Sequence, residues 1–385
     1  MYKNTEAANH FMTLPLGRNV QFTYVWVGGN NELRGKTRTL INNSGYSNEN
    51  HFSSVENLPD WDFDGSSTGQ AVGRNSEVLL KPKALFKNPF TPGGFLVMCD
   101  TYCPDGSPHP TNHRFHAMEL FNQKLEEEPW YGFEQEFFLM KPGTKTPLGF
   151  PETGHPRPQG PYYCSVGTSN CVGREILDSF YRAALYAGIK VSGTNVEVAP
   201  SQFEFQIGPC IGIEEGDHLF MARYILCRVA EHFNCDVNFE PKPVKGNWNG
   251  SGGHLNISTL EMREDNGLKH ILKAVEKLGK CHEEMVNVYG DEDNKERLSG
   301  EHETSDWRTF TWGYADRGAT IRVGRMTQRE NKGYFELRAT SSNCDPYLVT
   351  SKVFEVICLR EDLVGMVAPP NSPVGMVAPP NSPVV

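Results

Sequence analysis

The chain has 385 residues, 38% hydrophobic and 22% charged, which is enough to bury a full core in one large domain or in two. Its net charge of -10 argues against a nucleic-acid-binding surface, and no apolar run approaches the roughly 20 residues of a membrane span. The N-terminal segment lacks the apolar stretch of a secretory signal, so we expect a cytoplasmic protein that binds neither nucleic acid nor membrane. Ten cysteines without a CxxC pair are more typical of reduced core residues than of disulfides or zinc ligands.

The first hundred residues predict strands and one acidic loop. Residues 20–40 are typical of a strand, a Gly-Asn turn and a second strand. Residues 58–70, LPDWDFDGSSTGQ, predict a loop with an aspartate at every second position from Asp60 to Asp64. An Asx-rich surface turn explains these aspartates without any function. The composition turns to Pro, Gly, Asp and Ser at residues 101–110, and we place a domain boundary there.

An acidic pair marks the next strand, WYGFEQEFFLM, in which Glu134 and Glu136 are two residues apart. Because side chains alternate across a strand, the two carboxylates project from one face. Helical periodicity over residues 114–128 predicts a helix before this strand. Residues 141–171 are rich in Gly and Pro, and we expect a long ordered loop near the site.

A hairpin with two opposed glutamates is predicted over Asn195–Cys210, NVEVAPSQFEFQIGPC. Alternate residues are apolar, so Glu197 and Glu204 project from the other face. Pro200 suits the second position of a type I turn, which predicts a loop over residues 199–202 and places Glu197 opposite Glu204. Carboxylates about 5 Å apart need a cation, a shared proton or an arginine, and a divalent ion is the simplest partner. The alternative is a pair of unrelated surface strands with solvated glutamates.

Three amphipathic helices are predicted at about residues 173–187, 217–233 and 267–289. Their plausible C-terminal caps are Gly188, Asn234 and Gly290. Helices and strands mix without a regular βαβ alternation, which favours an α+β fold over a doubly wound sheet.

A glycine-rich segment and an arginine cluster occupy the C-terminal half. Residues 246–258, GNWNGSGGHLNIS, place His254 beside glycines that allow close approach to a metal or a phosphate, although a lone histidine is more often structural. Guanidinium groups bind carboxylate and phosphate bidentately, although a solvated face explains some of the arginines equally. The cluster consists of Arg297, Arg308, Arg317, Arg322, Arg325, Arg329 and Arg338.

The chain resembles glutamine synthetases of the eukaryotic type over nearly its whole length. The motifs that carry the resemblance are WDFDGSST, GFEQE, PQGPYYCSVG, NVEVAPSQFEFQIGP, GNWNGSGGH, HETS, ADRGATIR and KGYFELR. The resemblance implies the ligation of ammonia to L-glutamate with ATP through γ-glutamyl phosphate. It also implies a homodecamer of two pentameric rings whose active sites lie between subunits.

The resemblance also implies the domain organisation. We expect an N-terminal arm at residues 1–19, a β-grasp-like domain at 20–105 and a larger α+β catalytic domain at 106–364. Residues 365–385 contain GMVAPPNSPV twice in tandem, and we treat them as a flexible Pro-rich tail.

Site residues follow from the resemblance, position by position. It implies two or three Mg2+ or Mn2+ ions per site, with Glu134, Glu197 and Glu204 on one ion and Glu136, His254 and Glu336 on another. It assigns Asn249, Gly250, Arg297 and Arg338 to the glutamate. It assigns Asn256, Ser258, Arg322, Tyr334 and Phe335 to ATP. It gives catalytic roles to Asp64, which binds ammonium and takes its proton, to Glu303 on a flap that excludes water, and to Arg317 at the transferred phosphoryl group.

The chain departs from the family pattern at several positions around the flap. Asp316 stands where the family has Asn, Gly324 where it has Pro, Ala339 where it has Arg, and Leu255 where it has Thr. Glu301, Trp307 and Trp312 are also unusual. These changes leave open a family member that ligates glutamate to another amine, although Asp64 favours ammonium. A catalytically silent oligomer of the same fold is the other alternative, but all six ligand positions are present.

Overall fold

The computed structural model describes residues 10–42, 52, 54–153 and 155–363. The predicted tail, residues 365–385, lies outside the described residues, as do residues 1–9 of the predicted arm. Contacts divide the chain into two units. The first comprises the residues up to Phe115 with Arg182–Ile189 and Phe220–Tyr224, and the second comprises His116–Tyr181, Lys190–Leu219 and the residues from Ile225 onward. The domain limits given above stay predictions.

A five-stranded sheet builds the first unit, in the order β2-β1-β5-β4-β3. Its strands are β1 (Asn19–Val27), β2 (Leu33–Ile41), β3 (Trp61–Asp64), β4 (Glu77–Lys87) and β5 (Phe95–Tyr102). Strands β1 and β5 are parallel, and the other neighbours are antiparallel. The antiparallel pairing of β1 with β2 confirms the hairpin predicted over residues 20–40.

The prediction of a loop over residues 58–70 is wrong for Trp61–Asp64, which forms the edge strand β3. The segment WDFD alternates aromatic and acidic residues, which is the pattern of a half-buried strand. Phe63 is buried in a core with Phe22, Tyr24 and Trp26 of β1. The strand ends at Asp64, where the 3-10 turn Gly65–Thr68 begins.

An eight-stranded sheet builds the second unit, in the order β11-β12-β13-β10-β6-β8-β7, with β9 also paired to β6. Its strands are β6 (Trp130–Met140), β7 (Val191–Val196), β8 (Gln202–Ile211), β9 (Asp236–Asn238), β10 (Gly253–Ser258), β11 (Trp312–Tyr314), β12 (Ile321–Val323) and β13 (Phe335–Leu337). The core beneath it is aromatic. Phe137 lies 6.0 Å from both Phe203 and Phe205 between ring centroids, and Phe180 lies 4.8 Å from Phe205.

The described helices are α1 (His113–Phe121), α2 (Arg174–Ala187), α3 (Glu214–His232), α4 (Leu260–Arg263), α5 (Leu268–Lys280), α6 (His282–Val286), α7 (Glu292–Arg297), α8 (Arg325–Glu330) and α9 (Pro346–Phe354). Helices α2 and α3 confirm two of the three predicted amphipathic helices. Gly188 and Asn234 follow them with left-handed φ of 87° and 54°, as expected of C-terminal caps.

Two predicted helices are shorter than expected. The helix expected over residues 267–289 is interrupted at Cys281, whose φ of -99° and ψ of 13° separate α5 from α6. Helix α1 ends at Phe121, and the rest of the predicted segment contains only a 3-10 turn, Leu125–Glu127. The mixture of largely antiparallel sheets with irregularly placed helices confirms the α+β class. None of the described helices combines the length and apolar character that crossing a bilayer requires.

Candidate active site

One face of the second sheet gathers the predicted carboxylates. On β6, Tyr131, Phe133 and Phe137 point into the core, so Glu134 and Glu136 project from the opposite face. The register sets His254 of β10 opposite Glu134 and Glu204 of β8 opposite Glu136. On the far side of β10, Glu336 of β13 is opposite Asn256. Four strands therefore deliver acidic or imidazole groups to one place.

The hairpin of β7 and β8 places Glu197 differently from the prediction. Asn195, not Glu197, is opposite Glu204, and the Glu197 amide donates to the Gln202 carbonyl at 2.9 Å. The predicted turn over residues 199–202 forms, with the Gln202 amide donating to the Ala199 carbonyl at 3.1 Å, but Ser201 takes a left-handed φ of 59° and β8 begins already at Gln202. The register moves by two residues, so Glu197 keeps the predicted face but lies diagonal to Glu204. The directly opposed carboxylates are Glu136 and Glu204 on β6 and β8.

Five of the six predicted metal ligands fall into two close groups, and His254 belongs to both. Ligand atoms of Glu134, His254 and Glu336 lie within 4.8 Å of one another, and so do those of Glu136, Glu204 and His254. His254 Nδ1 is 3.4 Å from Glu134 Oε2 and 3.7 Å from Glu336 Oε1. These distances place Glu134 with His254 and Glu336 and place Glu136 with Glu204, whereas the sequence groups Glu134 with Glu197 and Glu204, a grouping that stays a prediction. The strand register, which the sequence does not reveal, decides this grouping.

Burial and crowding alter the ionisation of the cluster. Burial raises the pKa of Glu136 to about 7, and burial together with the Glu136 charge raises the pKa of Glu197 to about 8. The pKa of Glu204 is raised well above its usual value by burial and by the neighbouring glutamates. Burial and the nearby Arg338 hold the pKa of His254 well below its usual value, so its imidazole is neutral. The cluster thus offers crowded carboxylate oxygens and an imidazole lone pair, which suit a divalent cation.

A cavity of about 470 Å3 lies over this face. The predicted site residues that line it are Glu134, Glu136, Glu197, Glu204, Asn249, Gly250, His254, Arg297, Glu303, Arg317, Arg322 and Arg338. Glu336 is 2% exposed and lies beneath them, where its Oε1 accepts from Arg338 Nη1 at 2.6 Å and its Oε2 contacts Arg322 Nε.

The buried arginines are held by the protein itself. Arg297 donates to the Asn294 side chain and to the Arg338 and Thr340 carbonyls at 2.8–3.1 Å, which leaves Nη1 without a partner among the described residues. Burial lowers the pKa of Arg297 to about 10, and the guanidinium stays charged at neutral pH. Gly250 packs so closely that an added Cβ would lie 2.6 Å from Arg297 Cγ. The backbone and Arg297 together fix this wall of the cavity.

A second cavity of about 310 Å3 shares Glu134 and Gln206 with the first. Asn256, Ser258 and Tyr334, three of the residues predicted to bind ATP, line it. Phe335 does not, because its side chain is fully buried in the core. Trp130 lines the cavity with its ring beneath Arg263, 4.1 Å from the guanidinium carbon.

Asp64 is the predicted site residue that belongs to the first unit and does not line either cavity. It is exposed at the end of β3 in the first unit, where Oδ1 accepts from the Ser66 amide at 3.0 Å and the Ser66 hydroxyl at 2.7 Å. The lining of the cavity belongs entirely to the second unit.

Several amides and a histidine of the cavity are not among the predicted site residues. Asn195 Nδ2 donates to Glu197 Oε1 at 2.8 Å, and Gln206 Nε2 donates to Asn195 Oδ1 at 2.7 Å and also to Glu204 Oε1. Their sequence signal is the period of two, because Asn195 and Gln206 each stand two residues from a glutamate on the same face. The other lining residues that were not predicted are Tyr163, Val198, His302 and Thr304.

Known proteins share this sequence and fold. Residues 116–358 match the family model described as glutamine synthetase, catalytic domain. The chain is 54% identical over 336 residues to a glutamine synthetase cytosolic isozyme 2 of Vitis vinifera, covering 86% of this chain and 92% of that protein. It is 53% identical over 340 residues to a glutamine synthetase nodule isozyme of Lupinus luteus, covering 87% and 94%. The cryoEM structure of Plasmodium falciparum glutamine synthetase has the same fold, with a TM-score of 0.71 at 16% identity over 92% of this chain and 75% of that chain.

Proposed function

The chain belongs to the glutamine synthetase family, and from that premise we propose how its residues divide the work of the family reaction. The reaction ligates ammonia to L-glutamate with ATP through γ-glutamyl phosphate and yields glutamine, ADP and phosphate. The observation that carries the proposal is the convergence of five glutamates, the neutral His254 and four arginines at a single cavity. Acidic groups for divalent cations and guanidinium groups for anions are what a phosphoryl transfer to a carboxylate requires.

The family uses divalent metal and ATP, and the carboxylate cluster fits the metal. Glu134, His254 and Glu336 would hold one Mg2+ or Mn2+, and Glu136, Glu197 and Glu204 another. When bound there, the ions offset the negative charge of the transferring phosphoryl group. The raised pKa values of Glu136 and Glu197 support the assignment, because an uncompensated cluster of buried carboxylates retains protons that a cation displaces.

The arginines and the neighbouring loop would hold the two anionic substrates. Arg297, Arg338, Asn249 and Gly250 are assigned to the glutamate, whose carboxylates need donors in a fixed array. Arg317, which is exposed in the cavity, is assigned to the transferred phosphoryl group. The nucleotide would extend from Arg322 into the second cavity, past Asn256, Ser258 and Tyr334.

Assembly would complete the site. We assign Asp64 to ammonium binding and deprotonation in the adjacent subunit of a homodecamer of two pentameric rings, and Glu303 to a flap that closes over the acyl phosphate. Exclusion of water matters because γ-glutamyl phosphate otherwise hydrolyses. The proposed location is the cytoplasm, which agrees with the names of several relatives.

The deciding assay is phosphate release from ATP with and without glutamate and ammonia. We expect release to require glutamate and ammonia together, with one glutamine formed per phosphate. A panel of alkylamines tests the altered flap, and faster turnover with any of them than with ammonia would contradict the assigned substrate. Phosphate release that depends on neither glutamate nor amine would contradict the proposed ligase reaction.

The metal assignment has a test of its own. Mg2+ or Mn2+ at a hundredfold excess over Kd should increase the free energy of unfolding by about 2.7 kcal/mol through linkage. The melting temperature should therefore rise with added metal and fall with a chelator. Glu336→Gln should lose most of this shift, whereas Glu119→Gln, an exposed glutamate of α1, should retain it. An equal shift in both variants would place the bound metal elsewhere.

A further inference from the structure

Three loops around the cavity meet at the side chain of Gln159. This residue lies half-buried in the long loop between β6 and α2. Its Oε1 accepts the backbone N–H of Asn249 at 2.7 Å, and its Nε2 donates to the Asn249 side-chain oxygen, also at 2.7 Å. The same Nε2 lies 3.4 Å from Nδ1 of His302. Gln159 therefore connects its own loop to the glycine-rich loop and to the flap segment.

These bonds fix the orientation of both amide groups. A backbone N–H can only donate, so the Gln159 atom that faces the Asn249 amide must be the oxygen. Nε2 then faces the Asn249 side chain, which must present its oxygen to Gln159. Asn249 consequently keeps Oδ1 away from substrate and turns Nδ2 toward the cavity that it lines. A donor at that position suits a carboxylate, whereas an acceptor would repel it.

The flap segment that Gln159 contacts is strained. His302 and Glu303 have φ of 55° and 62°, and two successive left-handed residues without glycine persist only where their surroundings hold them. Thr304 Oγ1 donates to the Arg297 carbonyl at 3.1 Å, and Arg338 Nη2 lies 3.4 Å from the Glu303 carbonyl oxygen. The Gln159 contact to His302 adds support on the N-terminal side of Glu303.

We propose that Gln159 is a positioning residue that makes Asn249 present its N–H donor to the substrate carboxylate and that steadies the flap at His302. The proposal rests on the assignment of Asn249 to glutamate binding. Gln159 is not among the residues that line the cavity, so its effect should appear in the KM for glutamate and in the coupling of phosphate release to glutamine formation.

The test compares Gln159→Glu with Gln159→Leu. In Gln159→Glu, one carboxylate oxygen still accepts the Asn249 N–H. The second oxygen faces Asn249 Oδ1, and because two acceptors repel, the Asn249 amide should rotate and turn its oxygen toward the substrate. We expect the KM for glutamate to rise about tenfold or more in Gln159→Glu and less in Gln159→Leu, with the KM for ATP changed less than about twofold. If Gln159 only supports the loop, the KM for glutamate should rise more in Gln159→Leu than in Gln159→Glu. The reason is that the Glu side chain is isosteric with Gln and keeps one of the two hydrogen bonds to Asn249.

A double-mutant cycle with Asn249→Ala separates orientation from charge. If Gln159 acts through Asn249, the double variant Asn249→Ala/Gln159→Glu should have a KM for glutamate less than about twofold above that of Asn249→Ala alone. An undiminished increase would mean that the new charge repels glutamate directly, and would overturn the proposal. If Asn249→Ala alone leaves KM unchanged, the assignment of Asn249 fails and the inference fails with it.

The flap has a separate readout and a matched control. Gln159→Leu should release more than one phosphate per glutamine, because a loosened flap admits water to the acyl phosphate. Tyr162→Phe removes a bond of the same loop, from the Tyr162 hydroxyl to the Arg157 carbonyl, without touching Asn249. It should leave the KM for glutamate and the coupling unchanged. An effect equal to that of Gln159→Leu would reduce Gln159 to a loop support.

Discussion

Asp316 places a negative charge next to Arg317, which we assign to the transferred phosphoryl group. Its Oδ1 accepts the Gly318 amide at 2.9 Å, a bond that an asparagine oxygen also makes. Asp316→Asn therefore removes the charge and keeps the turn. A neighbouring unit charge in a partly solvated site is worth about 1 kcal/mol, so kcat should rise about two- to fivefold, and more than the KM for glutamate falls.

The control for Asp316→Asn is Asp105→Asn. Asp105 accepts the Ser107 amide at 2.9 Å in the same type of turn, but it lies in the first unit. Its replacement should leave kcat unchanged. An unchanged or reduced kcat in Asp316→Asn would mean that the carboxylate has no effect on the potential at Arg317.

Glu215 is a buried glutamate outside the cavity, at the start of α3. It is 0% exposed, and the Cys210 thiol lies beside its carboxylate. Burial raises its pKa from 4.5 to about 8. Between these values the folded state keeps a proton that the unfolded state loses, so the free energy of unfolding falls as pH rises, by up to about 1.4 kcal/mol per pH unit.

Glu215→Gln should remove this slope, so that its stability relative to the wild type increases from pH 5.5 to pH 8. Denaturant midpoints measured across that range in both proteins check it. Glu214→Gln, beside it on α3, should not change the slope between pH 6 and pH 8, because its pairing with Lys190 helps hold the pKa of Glu214 below the usual value. Parallel pH curves for the wild type and Glu215→Gln would contradict the prediction.

At the scale of elements, alternation along a strand was readable from the sequence but pairing between strands was not. The period of two placed Glu134, Glu136, Glu197 and Glu204 on the correct face of their strands. Register depends on the turn, and the left-handed Ser201 that sets it has no side-chain signal as strong as glycine would give. The neighbours of Glu136 depend on β8 and those of Glu134 on β10, which are 66 or more residues away in the chain. No local pattern encodes such a grouping.

The Asn195 and Gln206 pair is the element-scale consequence of that register. Asn195 joins Glu197 to Gln206, and Gln206 holds Glu204, so two hydrogen-bonded amides orient two of the proposed metal ligands. Asn195→Ala should weaken Mg2+ or Mn2+ binding about tenfold, as loss of a group that orients a ligand typically does. The metal-induced rise in melting temperature should shrink accordingly. Ser192→Ala, which removes only a 3.3 Å bond to the Gln206 carbonyl, should retain the full rise. Equal rises in both variants would contradict the prediction.

At the scale of the whole molecule, the first unit carries one predicted site residue and the second carries all the others. Asp64 belongs to the first unit, and every predicted metal ligand belongs to the second. In a ring closed by one repeated heterologous contact, each subunit can contribute Asp64 to the site of the adjacent subunit. The exposure of Asp64 at the end of β3 leaves its carboxylate available to such a neighbour.

Mixed rings test this sharing. Asp64→Ala and Glu336→Ala should each be nearly inactive. When the two are co-expressed, a site that takes Asp64 from a Glu336→Ala subunit and its metal ligands from an Asp64→Ala neighbour contains neither defect. Random mixing of equal amounts makes such sites about one in four, so activity should approach a quarter of wild type. Mixing Glu336→Ala with Glu134→Ala should restore nothing, because both ligands come from the same unit of one subunit. Verified mixed oligomers of the first pair that stay as inactive as their parents would assign Asp64 to its own subunit's site.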